Sequence, residues 1–285
     1  MSTSRHPGAS RILALNAGSS SIKFAVFDAT EPPLRRWSGE LQGIGQSRPM
    51  FRAHAQDGAD PAAQVVHAPD HAAASGVVLE WIARHAAGSP LAAIGHRVVH
   101  GGPDFSAPQL VTVDLVTALH RFSAFDPEHL PAELGLIEAS RQRFPGVPQV
   151  ACFDTAFHHD LPEVASRLPL PRRYAEQGVR RYGFHGLSYA FLMRALAAVD
   201  DGSVASGRVI LAHLGSGASL AAVRDGRPMD TTMSFTPTSG VPMSTRSGDL
   251  DPSLYRYLAQ TESMSPARFN ALVNDESGLL GVSGT

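Results

Sequence analysis

Asn16-Ala17-Gly18-Ser19-Ser20-Ser21-Ile22-Lys23 gathers an amide, three hydroxyls and a lysine around one glycine. Backbone N–H groups and hydroxyls concentrated in such a turn suit an anion, above all a phosphate. Side chains alternate faces along a strand, so Ile22, Phe24 and Val26 are expected in a core. Ser21 and Lys23 are then left together on the opposite face, beside the turn. Of the 24 basic residues Lys23 is the only lysine, and the rest are arginines. A compact ammonium reaches a phosphate oxygen between close backbones where a broad guanidinium does not. The plainer alternative is a chance surface lysine.

Four further groups could do chemistry with a phosphate. In Gly95-His96-Arg97-Val98-Val99-His100, strand alternation would place Arg97 and Val99 on one face. There the guanidinium could hold a small carboxylate and the valine its alkyl end. A lone strand arginine is more often a salt-bridge partner. Asp154 follows a short apolar run, where α/β proteins place catalytic groups, although an aspartate there also caps helices. His185, flanked by Gly183 and Gly186, has the freedom to approach a ligand and to donate to a moving phosphoryl group; on this segment alone a capping or core histidine is the stronger reading. Arg246 is the only cation of the long polar loop 236–249, and loops of that length in compact domains are usually functional. Two arginines and a lysine on phosphates meet the needs of phosphoryl transfer, which rests on positioning and charge neutralisation. Adjacent His158 and His159 share no face in helix or strand, so they are expected to be structural or exposed rather than a metal site.

The elements that must position these residues are legible in outline. Ile12–Leu15 and Ile22–Phe27 read as two strands about the first turn. Residues 37–51 read as further short strand and loop, and 54–75, rich in Ala, Asp and His, as a surface loop. Helices are predicted at 77–86, 113–122, 131–143, 186–199, 252–260 and 266–275, and strands at 92–100 and 149–153. Pro131 opens one helix at its first turn, and Ser265 before Pro266 is a good N-cap. The opening pattern then returns: strand Val209–His213, turn Leu214-Gly215-Ser216-Gly217-Ala218, strand Ser219–Val223. Asp225-Gly226 adds a tight hairpin into residues 227–231. Two strand–turn–strand units facing each other would grip a chain of phosphates from both sides, although hairpins with Gly/Ser turns are common. The expectation is a domain over 1–154 carrying the phosphate hairpin and a second over 155–285.

Bulk properties narrow the class. A 285-residue chain with 43% apolar and 18% charged residues is globular and long enough for two domains. A net charge of −2 gives no electrostatic reason for nucleic-acid binding, and no basic run suggests a membrane surface. One cysteine, Cys152, excludes an internal disulfide and fits a reducing compartment. Residues 1–10 lack the apolar core of a signal peptide, and no segment has the length and apolarity to span a bilayer. A cytoplasmic protein is expected.

Together these segments resemble the acetate kinase family, short-chain carboxylate kinases of the superfamily that includes actin and the sugar kinases. The stretches that carry the resemblance are 15–23, Gly95-His-Arg-Val-Val-His-Gly-Gly102, Phe153-Asp-Thr-Ala-Phe157, Arg181-Tyr-Gly-Phe-His-Gly186, His213-Leu-Gly-Ser-Gly217 and Thr245-Arg-Ser-Gly-Asp-Leu-Asp-Pro252, in family order across nearly the whole chain. The resemblance implies an α/β fold of duplicated ribonuclease-H-like domains around a nucleotide cleft. It implies reversible formation of acetyl phosphate and ADP from acetate and ATP, with Mg²⁺, in a homodimer. It further implies that Asn16 helps hold Mg²⁺ and that Ser19, Ser21 and Lys23 face the phosphates. Arg97 and Arg246 would bracket the carboxylate and the moving phosphoryl, His185 would steady its oxygens, and Asp154 would orient the attacking carboxylate or a metal-bound water. His213, Leu214, Gly215, Ser216 and Gly217 would cradle the nucleotide phosphates, with Val99, Phe184 and Pro237 lining an alkyl pocket. His129 matches a family histidine near the phosphoryl site. The chemistry agrees: a carboxylate with a pKa of about 4 is already a nucleophile at neutral pH, so no strong base is needed.

Some positions depart from the family pattern. Glu128 and Leu130 stand where the family usually has leucine and asparagine, and a carboxylate beside an alkyl pocket is costly if buried unpaired. Ser216 replaces an asparagine and Ser244 a glycine, each adding a side chain where backbones should approach closely. Residues 276–285 resemble the family's approach to an Asp-x-Arg segment and stop there, so a second domain incomplete at its C-terminal end is expected, with weak nucleotide binding and little turnover. The alternatives are a propionate or butyrate kinase of the same family and a non-catalytic remnant that binds only an anion or nucleotide. A sugar kinase of the superfamily would share the hairpins but leave Arg97-Val98-Val99 and the Arg246 loop unexplained.

Overall fold

Strict alternation produces the centre of the main sheet. Leu13, Leu15 and Ala17 in β1 (Arg11–Ala17) and Ile22, Phe24 and Val26 in β2 (Ser21–Asp28) are all at most 4% exposed. The computed structural model describes residues 10–55, 63–86, 88–199 and 202–285. The chain divides into two units, Met1–Gly101 with Ala107–Phe153, and Gly102–Ser106 with Asp154–Thr285.

In the first unit β1 and β2 continue into β3 (Leu34–Gln42), β4 (Met50–Ala55), β5 (Gln64–Val65), β6 (Leu91–Val98), β7 (Gln109–Leu110) and β8 (Gln149–Phe153). They form one sheet in the order β5-β4-β3-β2-β1-β6-β8-β7. β1 to β5 pair antiparallel in succession, and β6 and β8 run parallel to β1. An antiparallel meander whose first strand is joined by parallel strands on its other side is the ribonuclease-H-like arrangement. Residues 37–51 are the end of β3, a loop over 43–49 and the start of β4, the strand and loop that the sequence suggests.

Helices α1 (His71–His85) and α3 (Leu130–Arg143) pack on this sheet beside α2 (Val113–Arg121). α1 begins six residues before the predicted 77, so the expected loop over 54–75 is corrected. Asp70 caps it by accepting from the Ala73 N–H at 2.8 Å, and the alanines that follow are the best helix formers. Residues 56–62 of that expected loop lie outside the described residues. Trp81 of α1 lies 5.3 Å from the Phe24 ring and 5.9 Å from Phe51. Gly39 makes room for this cluster, since a Cβ there would stand 2.6 Å from the Phe24 ring. Fully burying each large apolar side chain contributes on the order of 2 kcal/mol.

The second unit opens with two short helices that the sequence did not signal, α4 (Glu163–Ser166) and α5 (Arg172–Glu176). α6 (Gly186–Val199) follows, then β9 (Arg208–Leu214), β10 (Ala218–Arg224) and β11 (Arg227–Thr231), an antiparallel meander like that of β1–β3. Asp225 and Gly226 both take left-handed φ, 52° and 73°, as a type I′ turn requires. Tyr189 of α6 is buried with Leu211, Ala221 and Val223 of the sheet, and Leu192 and Met193 pack beside it. α7 (Ser253–Thr261), α8 (Pro266–Asp275) and α9 (Gly278–Ser283) close the chain, with Ser265 capping α8 as predicted. No helix of the described residues is long and apolar enough to cross a membrane.

Candidate active site

In the first unit the register of three neighbouring strands sets the candidate residues side by side. Asn16 of β1 pairs with Lys23 of β2. On the other flank Leu15 pairs with His96 of β6, so Arg97 follows beside Asn16 and donates from Nη1 to its Oδ1 at 3.0 Å. Lys23, Asn16 and Arg97 therefore form a row of cation, amide and cation across β2, β1 and β6. The turn beside the row is closed by the Gly18 N–H donating to the Ser21 carbonyl at 2.7 Å. Ser19 is exposed and Ser21 partly so. His71, in the first turn of α1, contacts the Gly18 carbonyl through Nε2 at 2.8 Å and ties the helix to the turn.

Arg97 and Val99 do not share a strand face: β6 ends at Val98, and the chain bends before Val99. The reason is Glu133, a buried carboxylate of α3 whose two oxygens accept from the Val99 N–H at 3.2 and 3.0 Å. Val99 itself is buried. His129 stands just before α3 and is held by Asp126, whose Oδ1 accepts from the His129 N–H at 3.1 Å and contacts Nδ1 at 2.9 Å. Burial would raise the Asp126 pKa, but these hydrogen bonds and the charges of His129 and His100 outweigh it and hold the carboxyl below its usual range. Glu128 is exposed and Leu130 fully buried, so the feared desolvation of Glu128 does not arise.

In the second unit, buried Asp154 leads the chain away from β8, and its carbonyl accepts from the Gly186 N–H at 2.8 Å. A Cβ on Gly186 would lie 2.1 Å from that oxygen, so only glycine fits there. The Phe184 carbonyl accepts from His158 Nε2 at 3.0 Å, and Phe184 is buried. Burial pushes His158 down to about 4, the Phe184 carbonyl and the Asp154 charge opposing it. His158 is thus structural and His159 exposed, as predicted. Gly183, at φ 70°, lets the turn close over the His158 ring, to which its Cβ would approach within 2.6 Å. The turn delivers His185 in a left-handed conformation, φ 59°.

His185 contacts Ser219 Oγ through Nδ1 at 2.8 Å and stacks on His213, ring centres 4.0 Å apart. His213 in turn reaches Ser188 Oγ through Nδ1 at 3.1 Å. Arg246 donates from Nη1 to the Pro237 carbonyl at 3.2 Å. Gly217 reveals where these groups aim: a Cβ placed on it would be 3.4 Å from His185 Nε2 and 3.5 Å from Arg246 Nη1. Both nitrogens thus border the open side of the bare Gly217 backbone, an arrangement suited to an anionic oxygen lying further out between them. The adjoining turn is closed by the Gly215 N–H on the Gly217 carbonyl at 3.1 Å, with Leu214 and Ser216 exposed. Ser244 meets it, its N–H donating to the Ser216 carbonyl at 3.2 Å.

The Arg246 loop is braced from the end of the chain. Thr245 Oγ1 donates to the Asn274 carbonyl at 2.7 Å, the Ser277 N–H to Thr245 at 2.9 Å and the Leu279 N–H to Met243 at 2.8 Å. Sequence reasoning took residues 276–285 as the approach to another segment and missed this brace. It also missed Asp126, Glu133, His71, Tyr189 and Ser219. Of these only Asp126, three residues before His129, left a readable spacing.

A metal finds little here. Asn16 offers one neutral oxygen, already facing a guanidinium, and no group of three His, Cys, Asp or Glu among the described residues is placed to hold an ion. The described residues do not make a resident Mg²⁺ cage. An ion entering on a nucleotide would carry phosphate and water oxygens of its own and ask for at most one such ligand.

Known proteins resemble the chain in sequence and in fold. The chain is 46% identical over 278 residues to the acetate kinase of Nitrobacter hamburgensis, a match covering 96% of this chain and 68% of that protein. It superposes on a propionate kinase from Francisella tularensis with a TM-score of 0.88 and 33% identity, covering 96% of this chain and 70% of that one. The acetate kinase of Porphyromonas gingivalis gives 0.84 at 33% identity, covering 97% and 70%. Residues 11–285 match the sequence profile of the Acetokinase family, and the chain belongs to that family of carboxylate kinases.

Proposed function

We propose that this protein forms acetyl phosphate and ADP from acetate and ATP, reversibly, by direct transfer of the phosphoryl group to the carboxylate. The observation that carries the reading is the open side of Gly217, which His185 Nε2 and Arg246 Nη1 both border. In this reading those two donors hold the oxygens of the moving phosphoryl group. Lys23, Ser19 and Ser21 neutralise and seat phosphates at the first turn, and His213 to Gly217 seat them at the second. Arg97, held by Asn16, receives the carboxylate; Val99, Phe184 and Pro237 meet its alkyl end. Asp154 and His129 orient the reacting groups. Attack by one anion on another is opposed by charge, and the cationic side chains supply the offset. Mg²⁺ would arrive with ATP, with Asn16 as a candidate protein ligand. Family membership supports a homodimer, and the single cysteine supports a cytoplasmic location.

Propionate is the second candidate substrate, favoured by the likeness to the Francisella propionate kinase. Purified protein incubated with ATP, Mg²⁺ and acetate, propionate or butyrate, with hydroxylamine trapping the acyl phosphate, tests both. The expected result is trapped product, greatest with acetate; a reversed order moves the assignment to propionate. Nucleotide binding without product from any of the three acids overturns the catalytic reading in favour of a binding-only protein.

A further inference from the structure

Lys23 carries the only lysine amine of the chain, the other 23 basic residues being arginines. A guanidinium stays protonated and does not attack a carbonyl carbon, whereas an uncharged amine does. An acyl phosphate, the product of the proposed reaction, is an activated acyl group whose carbon takes such an attack. Among the basic side chains, that reactivity is confined to one position.

The position lies in the cationic row of the first unit. Residues directly opposite on neighbouring strands share a face. Lys23 therefore stands between Asn16 of β1 and Glu40 of β3, with Arg52 of β4 beyond Glu40. Beyond Asn16 come Arg97 of β6 and then Cys152 of β8. Three cations to one carboxylate is an excess that draws a phosphate. The next row along the strands is Ala25, Ala14 and Gly95, whose short side chains leave the cationic row open and Lys23 exposed. Neighbouring strands lie about 4.8 Å apart, so about 10 Å separates the backbones of Lys23 and Arg97. A lysine stem from one side and an acyl phosphate held on the guanidinium from the other bridge that span. The Cys152 thiol is a second nucleophile of the row, but burial raises its pKa and keeps it protonated.

We propose that Lys23 is acylated by an acyl phosphate whose phosphate is held at Arg97 and the first turn, so that the reaction's own product silences the phosphate row. The uncharged ε-amine adds to the acyl carbon, the bond from that carbon to the bridging oxygen breaks, and inorganic phosphate leaves with the electron pair. Of the two protons the ammonium gives up overall, one ends on the phosphate and one in the solvent. The amide that remains carries no charge, so a phosphate seated by Lys23 loses its point-charge partner. The origin of the acyl phosphate rests on the carboxylate kinase reading, but the modification is read with acetyl phosphate added as a reagent, with or without turnover.

The test incubates the full chain with acetyl phosphate at mildly alkaline pH and follows tryptic fragments by mass spectrometry. Trypsin cuts after Lys23 to give 12–23 and 24–35; an acetylated Lys23 is not cut, which leaves 12–35 with one acetyl group. The folded chain should be acetylated about tenfold faster than a free peptide of residues 12–35, and inorganic phosphate should suppress the difference. Arg97→Gln should slow acetylation in the same way, while acetic anhydride, which needs no phosphate seat, still marks Lys23 in that variant. The acetylated protein should bind ATP about tenfold more weakly by calorimetry. Acetylation of the unsubstituted protein no faster than in the peptide, or indifferent to phosphate, overturns the proposal and makes Lys23 an ordinary surface amine. So does an acetyl group that hydroxylamine removes, the mark of a Cys152 thioester, and so does an unchanged ATP affinity after acetylation. A protein acetylated as expected that forms no acyl phosphate of its own counts against the kinase reading and leaves the Lys23 site standing.

Discussion

Gly217 separates binding from folding at the scale of one residue. A methyl group on it meets His185 and Arg246 at 3.4 and 3.5 Å, ordinary contact distances, and no left-handed φ demands glycine there. Gly217→Ala should therefore fold with a stability change below about 0.5 kcal/mol. Yet the methyl would project into the space in front of His185 Nε2 and Arg246 Nη1 where a phosphoryl oxygen is assigned, so kcat/KM should fall by about a hundredfold, as for loss of an oxyanion donor. Retained activity in that variant would place the anion elsewhere. Glu133 behaves in the opposite way. It is buried and its carboxylate satisfies the Val99 N–H, so Glu133→Ala should cost about 1–3 kcal/mol in urea denaturation by leaving a buried donor unpaired. Glu133→Gln keeps an acceptor and should recover most of the loss; equal losses in both variants would mean that packing, not the hydrogen bond, holds the bend after β6.

Among elements, α1 is the one whose influence reaches furthest from its own core. Asp70 caps it and His71 in its first turn contacts the Gly18 carbonyl, so the helix start also steadies the first phosphate turn. Asp70→Ala should cost about 1 kcal/mol and weaken ATP binding several-fold by calorimetry. Destabilisation with unchanged affinity would show that the turn keeps its shape without the helix. This is also where the sequence was hardest to read. The β1–β2 hairpin was legible because a two-residue period and a Gly/Ser turn are local signals, and the same holds for β9–β11 with its Asp225-Gly226 turn. The first turn of α1 was not, since an alanine stretch has no apolar stripe and only the Asp70 cap marks its start. Chemistry followed the same divide. Lys23, Arg97, His185 and Arg246 were picked out by residue type. The groups that hold them, Glu133 on the bend after Val98, Ser219 behind His185 and residues 274–279 behind Thr245, are distant in sequence and leave no periodic trace.

At the scale of the whole molecule, burial lowers the pKa of three histidines among the described residues, and this couples stability to pH. Burial lowers His96, His100 and His158 from 6.5 to about 4 in the folded state, the Gln149 hydrogen bond, the Asp126 charge and the Phe184 carbonyl only partly opposing it. Between about pH 6.5 and 4 the unfolded chain therefore binds more protons than the folded one, so stability is present above that window and lost as pH falls through it. Each fully buried site contributes at most about 1.4 kcal/mol per pH unit. His96 and His100 belong to the first unit and His158 to the second, so the first should be the more acid-sensitive. Both tryptophans, Trp37 and Trp81, also belong to the first unit, so their fluorescence reports on that unit. The urea midpoint followed by tryptophan emission should drop steadily from pH 6.5 to 4.5. His96→Gln, which can still reach Gln149 but cannot take up a proton, should roughly halve that slope, one of two titrating groups being gone. A midpoint that stays flat across this range would mean that the two imidazoles gain protons in place, and that the interior around β6 admits charge more readily than its burial implies.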